Sequence, residues 1–330
     1  MRISDMFYAG SAFLKVVLLK QTIPLAVSYL ITNRCNYSCS YCGRWRKKEP
    51  ELTTDQIIFM INELAKLGTR FLQITGGEPF LRPDLLPVLR AGKLCGLYIG
   101  LNTNGALISD HTSLLPYIDS ITLSLDGPAE IHERVRPAGS FKTALEAIDI
   151  AQTHGVRVQI NTTLTEHNTD CIDYLVDLAR EKNAIISFQP ASPKVLSGDK
   201  ENPVAGPRQE IVRGLFRIGE LKKTVPNIKN TGLVLKYMKM WPFSQGLTCA
   251  GGRLFFRVAS NGDVKVCGRY RPGEEEMIPN ILKDGVAGAI QRVQEPLCDT
   301  CYNVTRLKIN LLYDLMTLNW SVLGKRKESP

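Results

Sequence analysis

Residues 25–42, LAVSYLITNRCNYSCSYC, place a short apolar segment directly before three closely spaced cysteines. Ala26 to Ile31 is predicted to form a buried β-strand, since the run is short and mostly apolar. Cys35, Cys39 and Cys42 then fall within a loop of eight residues. Three thiols so close together cannot all pair with one another in disulfides. The loop therefore predicts a metal centre at the end of a strand.

The alternation of strand and helix repeats after this segment. Thr53 is predicted to cap a helix that runs to Leu67, and another helix is predicted over Phe141–Thr153. Five further strands are predicted, over Phe71–Thr75, Leu97–Leu101, Ser120–Leu125, Val156–Thr162 and Ala184–Gln189. Repeated βα units predict an α/β fold with a parallel sheet, here a partial (β/α)6 TIM-like barrel. Polar and glycine-rich loops recur where strands end, at the face that is catalytic in such barrels.

The pattern changes after about residue 195. A β-hairpin is predicted over 254–266 with its turn at Asn261-Gly262, and helical patterns return at Ala287–Val293 and Val304–Leu323. We therefore expect an N-terminal amphipathic segment (1–24), the partial barrel (25–240), a small hairpin and helix domain (241–305), and a C-terminal helix with a basic tail (306–330).

Charge and cysteine content limit the class of protein. The net charge is +9, and residues 1–48 carry eight Lys or Arg against Asp5 alone. This excess suits an anionic partner or a plain solvated face. Only Trp45 lies directly between basic residues, so no stable nucleic-acid partner is expected. Nine cysteines without a secretory signal favour metal or redox chemistry over disulfides.

The apolar stretch from Ala12 to Leu30 is interrupted by Lys15, Lys20 and Pro24, so it is a poor candidate to span a bilayer. We expect a cytoplasmic protein. Its two amphipathic ends are predicted to pack on the barrel, with peripheral membrane contact as the alternative.

The three-cysteine loop leaves two interpretations open. Three ligands for a four-iron cluster leave one iron open for chemistry, much as catalytic zinc keeps one position free. The alternative is a zinc site completed by a distant fourth ligand. The spacing alone favours the cluster, and the neighbouring motifs strengthen that preference.

The C-x3-C-x2-C loop, followed by Thr75-Gly76-Gly77-Glu78-Pro79 after the second strand, resembles the radical S-adenosylmethionine (radical SAM) superfamily over about residues 22–195. The resemblance implies a [4Fe-4S] cluster on Cys35, Cys39 and Cys42, whose fourth iron is chelated by S-adenosylmethionine. An electron from a donor such as flavodoxin or ferredoxin then yields methionine and a 5′-deoxyadenosyl radical. That radical abstracts hydrogen from a substrate that the sequence does not identify.

The resemblance also implies a set of residues that bind the cosubstrate. Gly76 and Gly77 allow close approach of the backbone, Glu78 is expected to orient the ligand's amino group, and Pro79 fixes the turn. The remaining candidates are Tyr41 for adenine, Ser124 and Asp126 at the end of the fourth strand, and Arg136 for the methionine carboxylate, with Arg134 as its competitor. Asn102, Asn104, Asn161 and Thr163 also end strands, where they line a pocket or cap a turn. The fifth strand lacks a clear adenine-contacting motif.

A second group of cysteines lies beyond the predicted barrel. Cys249 precedes the hairpin, Cys267 ends it, and Cys298 and Cys301 form a C-x2-C pair. Four thiolates in this pattern suit a structural zinc ribbon. They also resemble the twitch extension of the radical SAM superfamily, a short relative of the SPASM domain. That resemblance implies a second, auxiliary [4Fe-4S] cluster, which either accepts an electron from substrate or stabilises the fold.

The sequence thus predicts a radical SAM enzyme that abstracts hydrogen and completes a two-electron oxidation. Alternatives are a redox-neutral rearrangement, coupling or adenosyl transfer on a lipid, sugar or peptide. A zinc-bearing nucleic-acid-binding or interaction protein is the alternative of another class. No residue is assigned to the final transfer of a proton or hydrogen atom.

Overall fold

One continuous eight-stranded sheet organises the computed structural model, which describes residues 3–194, 201–243, 246–267, 278–293 and 301–317. The strand order is β6-β5-β4-β3-β2-β1-β7-β8, and all neighbouring pairs are parallel except the antiparallel pair β7–β8. The strands are β1 Ala26–Thr32, β2 Phe71–Gly76, β3 Tyr98–Thr103, β4 Ser120–Ser124, β5 Arg157–Leu164, β6 Ile185–Pro190, β7 Phe255–Val258 and β8 Val264–Lys265.

Helices connect the parallel strands. They are α1 Ile3–Leu19, α2 Thr54–Lys66, α3 Leu85–Leu94, α4 Ala129–Val135, α5 Ser140–Thr153, α6 Ile172–Glu181, α7 Arg208–Leu221, α8 Gly232–Met238, α9 Ile281–Arg292 and α10 Val304–Met316. Short 3-10 turns occur at Arg44–Arg46, Pro79–Leu81, Ser109–Tyr117 and Thr169–Cys171. Thr53 begins α2 through a reciprocal capping box with Gln56, as the sequence predicts.

The predicted fold class is confirmed, and the six predicted strands are all present. Their ends differ by one or two residues: β5 begins at Arg157 instead of Val156 and runs on to Leu164 instead of Thr162. The extension follows from pairing, because β6 continues alongside β5 as far as the Leu164–Pro190 pair. Hydrophobic pattern alone does not contain that information.

The C-terminal hairpin extends the same sheet. Strand β7 lies parallel to β1, with Ala26 opposite Phe255 and Tyr29 opposite Val258. This pairing satisfies the backbone groups on the free edge of β1. The hairpin assigned to residues 241–305 therefore shares its sheet with the barrel, and the boundary near residue 240 stays a prediction.

The two faces of the sheet differ in polarity. Side chains facing the helices, such as Ile74, Ile99 and Ile160, are fully buried. The opposite, inner face carries partly exposed polar residues, among them Gln73, Asn102 and Gln159. Gln73 donates to Asn102 Oδ1 at 2.9 Å, and Gln159 donates to Ser187 Oγ at 2.9 Å. A polar inner face of this kind suits a ligand cavity better than a packed core.

Helix α1 packs on the protein through one face only. Phe13 and Val17 are buried in a small core with Leu254 and Tyr313, whereas Phe7 and Leu18 are 76 % and 71 % exposed. None of the helices within the described ranges has both the length and the apolarity needed to cross a bilayer. The basic run 325–327 lies outside the described residues.

Candidate active site

The loop that carries Cys35, Cys39 and Cys42 is anchored where β1 ends. The Arg34 amide donates to Thr32 Oγ1 at 3.0 Å, and Thr32 donates to Glu51 through a short hydrogen bond. Asn33 is buried and donates to Glu49 at 2.9 Å and to Ser260 at 3.1 Å. Ser260 lies just beyond β7, so both the barrel and the hairpin hold the start of the loop.

Gly76 and Gly77 bring the end of β2 against this same loop. The Gly77 amide donates to Thr32 O at 2.8 Å, and the Glu78 amide donates to Arg34 O at 2.8 Å. A Cβ atom at Gly76 would lie 2.5 Å from Thr32 O, and one at Gly77 would lie 2.1 Å from Arg34 O. The two glycines are therefore required for contact between two segments of the chain, in addition to any contact with a ligand.

The carboxylate of Glu78 is fully buried and binds protein donors. Its Oε1 accepts hydrogen bonds from the Phe80 amide at 3.2 Å and the Thr103 hydroxyl at 2.9 Å, and its Oε2 accepts from the Asn104 amide at 2.9 Å. Burial raises the pKa of Glu78 to about 7 despite these donors. Glu78 thus connects the ends of β2 and β3.

Asp126, Arg136 and Tyr41 form a buried polar assembly beside the cysteine loop. Arg136 Nε donates to Asp126 Oδ2 at 2.8 Å, and Arg136 Nη2 forms a short hydrogen bond with the Tyr41 hydroxyl. The side chains of Arg136 and Asp126 are only 6 % and 2 % exposed. Arg136 Nη1 lies 3.8 Å from Cys39 Sγ. Although burial opposes the charge, Tyr41, Asp126 and Cys39 raise the pKa of Arg136, so the guanidinium stays ionised.

The three thiols are partly buried and electrostatically coupled. Burial raises the pKa of Cys35 to about 11, and Cys39 and Cys42 raise it further. Burial likewise raises the pKa of Cys39, with Cys42 contributing. The Tyr37 amide donates to Cys35 Sγ at 3.4 Å, and Asn104 Nδ2 lies 3.9 Å from it. Thiolates crowded in this way need a compensating positive charge, which a bound metal centre supplies.

The three thiols do not form a site for a single metal ion. Within the described ranges, no three Cys, His, Asp or Glu side chains converge closely enough to ligate one metal ion. The thiolate ligands of a four-iron cluster each bind a different iron atom, so they need not converge on one point.

Comparison with known proteins identifies the domain. Residues 29–179 match the profile of the radical SAM superfamily. This chain contains a radical SAM domain. The matched span holds the cysteine loop, Gly76 to Pro79, Asp126 and Arg136. A match to this superfamily implies a [4Fe-4S] cluster and S-adenosylmethionine as cofactors.

Relatives of the radical SAM domain are enzymes with different activities. The AdoMet-dependent heme synthase of Methanosarcina barkeri is 33 % identical over 170 residues, which cover 49 % of this chain and 49 % of the synthase. The mycofactocin maturase MftC of Mycobacterium tuberculosis is 26 % identical over 279 residues, covering 79 % of this chain and 68 % of the maturase. The chain spans about half the length of the heme synthase.

Solved structures support the fold. Streptococcus suis SuiB bound to S-adenosylmethionine superposes with a TM-score of 0.67 at 18 % identity, covering 79 % of this chain and 64 % of SuiB. Native anSMEcpe with bound AdoMet gives a TM-score of 0.65 at 15 % identity, covering 92 % of this chain and all of the other. At these identities the likeness establishes the fold alone.

The other predicted residues of the radical SAM domain lie along the same edge of the sheet. Ser124 ends β4 opposite Asn161. The Thr163 amide donates to Asp126 Oδ1 at 3.0 Å, while Pro79 is buried in the turn after β2. Arg134, the predicted competitor of Arg136, is exposed. Of the two arginines, only Arg136 is directed at the cysteine loop.

Two residues that hold Asp126 in place were not predicted from the sequence. His132 is buried, and its Nδ1 accepts a hydrogen bond from the Asp126 amide at 3.1 Å. Burial lowers the pKa of His132 to about 4, so the ring is neutral and able to accept. Asn168 donates to the Asp126 carbonyl at 2.8 Å. The position of His132, four residues before the predicted Arg136, was a sequence signal for its role, but no sequence pattern indicated Asn168.

The second group of cysteines is only partly within the described residues. Cys298 lies outside them. Cys249 and Val266, the residue before Cys267, both lie close to Gly251. A Cβ atom at Gly251 would be 2.2 Å from Val266 Cγ1 and 3.2 Å from Cys249 Sγ. Cys301 is partly buried against the main core, next to the start of α10. Of the described cysteines, Cys249 lies before the hairpin, Cys267 follows its second strand and Cys301 precedes α10. Their grouping around one metal centre stays a prediction.

Proposed function

We propose that this protein is a radical SAM enzyme whose catalytic [4Fe-4S] cluster is held by Cys35, Cys39 and Cys42. The observation that carries the proposal is the buried Arg136, which is bound to Asp126 and directed at Cys39. When bound, the cluster supplies one electron, received from an external donor, that cleaves S-adenosylmethionine to methionine and a 5′-deoxyadenosyl radical. This radical would take a hydrogen atom from the substrate, which would give 5′-deoxyadenosine and a substrate radical.

Protein side chains position the cosubstrate. Asp126 and Tyr41 together hold the Arg136 guanidinium in place, so Arg136 is ready to bind the methionine carboxylate without reorganisation. The ring of Tyr41, over which Arg136 lies at 5.4 Å, presents an aromatic surface for adenine. Ser124 is partly exposed at the end of β4, where a polar ligand group would be in reach.

Glu78 has a different role in this proposal from the one that its sequence position suggests. Its carboxylate is fully buried and accepts three hydrogen bonds from protein donors. Glu78 therefore acts as a positioning residue that sets the distance between the β2 and β3 loops. The backbone around Gly76 and Gly77, and not the Glu78 side chain, would contact the amino group of the cosubstrate.

We further propose that Cys249, Cys267, Cys298 and Cys301 bind an auxiliary [4Fe-4S] cluster. Four protein thiolates would ligate all four irons, which suits electron transfer or structural support better than direct coordination of substrate. The approach of Cys249 and Val266 around Gly251 supports this grouping. A cluster that accepts one electron from a substrate radical would make the overall reaction a two-electron oxidation.

The substrate is not identified by this site. The structural neighbour SuiB is known in complex with the precursor peptide SuiA, and the sequence relative MftC is a maturase. The SuiB complex favours a peptide substrate over a lipid or sugar. Rearrangement, coupling and adenosyl transfer are the competing outcomes, and product analysis distinguishes them from oxidation.

Anaerobic reconstitution tests the proposal. We expect about eight iron and eight sulfide per chain and formation of 5′-deoxyadenosine when dithionite and S-adenosylmethionine are added. Zinc as the only bound metal, with no cleavage of S-adenosylmethionine, would contradict the proposal. That outcome would favour a zinc-bearing interaction protein.

A further inference from the structure

Arg257 is an arginine on the inner face of the sheet whose guanidinium has no hydrogen-bonded partner in the part of the chain that the structure describes. It lies in β7 opposite Ser28 of β1, on the polar face that lines the barrel. Among the described residues, no hydrogen bond or ion pair satisfies its guanidinium, although the side chain is only partly exposed. Partial burial of an unpaired guanidinium destabilises the fold, and a bound anion would remove this penalty.

Other cations surround Arg257. Arg306 of α10 lies over the ring of Phe255 at 5.6 Å, and Phe255 precedes Arg257 by two residues on the same face of β7. Arg44 follows Cys42 by two residues, and its guanidinium also has no hydrogen-bonded partner within the described part of the chain. Burial, followed by repulsion from Arg44 and Arg306, lowers the pKa of Arg257 well below its ordinary value.

Glu49 is a carboxylate that acts on this group of arginines, but it already has hydrogen-bonded partners. Against the effect of burial, the negative charge of Glu49 raises the pKa of both Arg44 and Arg257. However, Glu49 Oε2 accepts a hydrogen bond from Asn33 at 2.9 Å, and Glu49 Oε1 pairs with Lys47 at 3.4 Å. Glu49 thus offsets only part of the charge of the three arginines. The described side chains around Arg257 therefore carry a positive surplus on the inner face of the barrel, where Lys229, hydrogen-bonded to Gln159 at 2.6 Å, adds a further cation.

We propose that Arg257, flanked by Arg44 and Arg306, binds an anionic group of the substrate, a phosphate or a carboxylate, on the inner face of the barrel. The planar guanidinium forms two parallel hydrogen bonds with either group. Anion binding also relieves the repulsion among the three arginines. This inference rests on the proposed function, because it names the class of substrate that the radical would attack.

The position of the anion site follows from the chain. Arg44 lies just beyond Cys42, and Arg257 is connected through β8 to Cys267. A substrate anchored here would lie between the two groups of cysteines. That location would let one bound molecule meet the radical and then deliver an electron to the auxiliary site.

Titration calorimetry of the reconstituted holoenzyme tests the site, with inorganic phosphate, tripolyphosphate and succinate as probes. We expect at least one probe to bind, and Arg257→Met to weaken its binding about tenfold, as loss of a charged hydrogen-bonding partner does. Arg257→Lys keeps the charge without the planar fork, so it should retain part of the affinity. The relative affinities of phosphate and succinate show which anion the site prefers.

Arg90→Met is the matched control, because it removes the same charge from α3, where Arg90 binds Tyr117 at 3.1 Å. It should leave anion affinity unchanged. If Arg257→Met does not fold, Arg257→Lys and Arg306→Met provide the same measurement. Equal binding by wild type and the Arg257 variants, or no binding of any probe to the wild type, would overturn the inference. Formation of 5′-deoxyadenosine by the wild type tests the proposed function separately.

Discussion

The loop of Cys35 to Cys42 and the region of Cys249 to Cys301 are supported in different ways. Polar groups from distant segments surround the first loop: Arg136 and Asn104 approach its sulfurs from the ends of other βα units. Around Cys249, apolar packing predominates, with Val266 and Phe255 in the same small core. A site preorganised by hydrogen bonds is suited to binding a polar cosubstrate, whereas a packed site is suited to holding a metal centre.

Removal of one cysteine from each region should distinguish the functions of the two regions most clearly. Cys39→Ala should abolish formation of 5′-deoxyadenosine and lower the iron content by about four per chain. Cys301→Ala should also remove about four irons but leave cleavage of S-adenosylmethionine measurable. Iron analysis and chromatography of the products measure both effects. If Cys301→Ala removed no iron, Cys301 would not be a cluster ligand.

The second prediction concerns the buried ion pair of the first region. Arg136→Met leaves Asp126 buried without its partner, so we expect a loss of about 3–5 kcal/mol in the free energy of unfolding together with loss of S-adenosylmethionine binding. Arg213→Met is the control, because Arg213 pairs with exposed Asp170 at 3.0 Å. It should cost less than about 1 kcal/mol. Urea unfolding measures the stabilities; equal losses would show that the buried pair has no special role.

The third prediction follows from the pKa of Glu78, which folding raises from 4.5 to about 7. A carboxyl group whose pKa is raised stabilises the fold below pH 4.5, and this contribution is lost as the pH rises through 7. Between pH 4.5 and 7.5, the stability of the ligand-free wild type should fall by about 3 kcal/mol relative to Glu78→Gln. Urea unfolding across this range measures the difference. A difference that does not vary with pH would contradict the prediction.

The smallest effects are expected from substitution of two glycines, one in each region. A methyl group at Gly77 meets the Arg34 carbonyl at 2.1 Å, whereas at Gly251 it meets the Val266 side chain at 2.2 Å. Either substitution by alanine should cost about 1–3 kcal/mol. Only Gly77→Ala should also weaken S-adenosylmethionine binding, because it shifts the cysteine loop. Both are measured by thermal unfolding and equilibrium dialysis.

Gly232 supplies the neutral reference for this pair. It begins α8, and no heavy atom lies within 4 Å of a Cβ at that position. Gly232→Ala should therefore leave stability unchanged or raise it slightly. If Gly77→Ala and Gly251→Ala were as stable as Gly232→Ala, the close contacts at both sites would not contribute to stability.

Much of the fold was predictable because its signals are local. Apolar runs such as Ala26–Ile31 and the capping residue Thr53 act within a few positions, so they locate strands and helices without tertiary information. The cysteine loop was equally visible, since its three thiols lie within eight residues. Pairing of β7 with β1 was not predictable, because it joins segments more than 200 residues apart and depends on which sheet edge is free.

By itself, the sequence determined the family, the strand-and-helix order, and the types of residue available for a cluster and its cosubstrate. Only the tertiary structure decided how those residues are used. It directed Arg136 and not Arg134 at Cys39, turned the Glu78 carboxylate inward, and placed Arg257 on the inner face of the sheet. The physical reason is that burial and hydrogen-bond partners arise from contacts between distant segments, which no local pattern encodes.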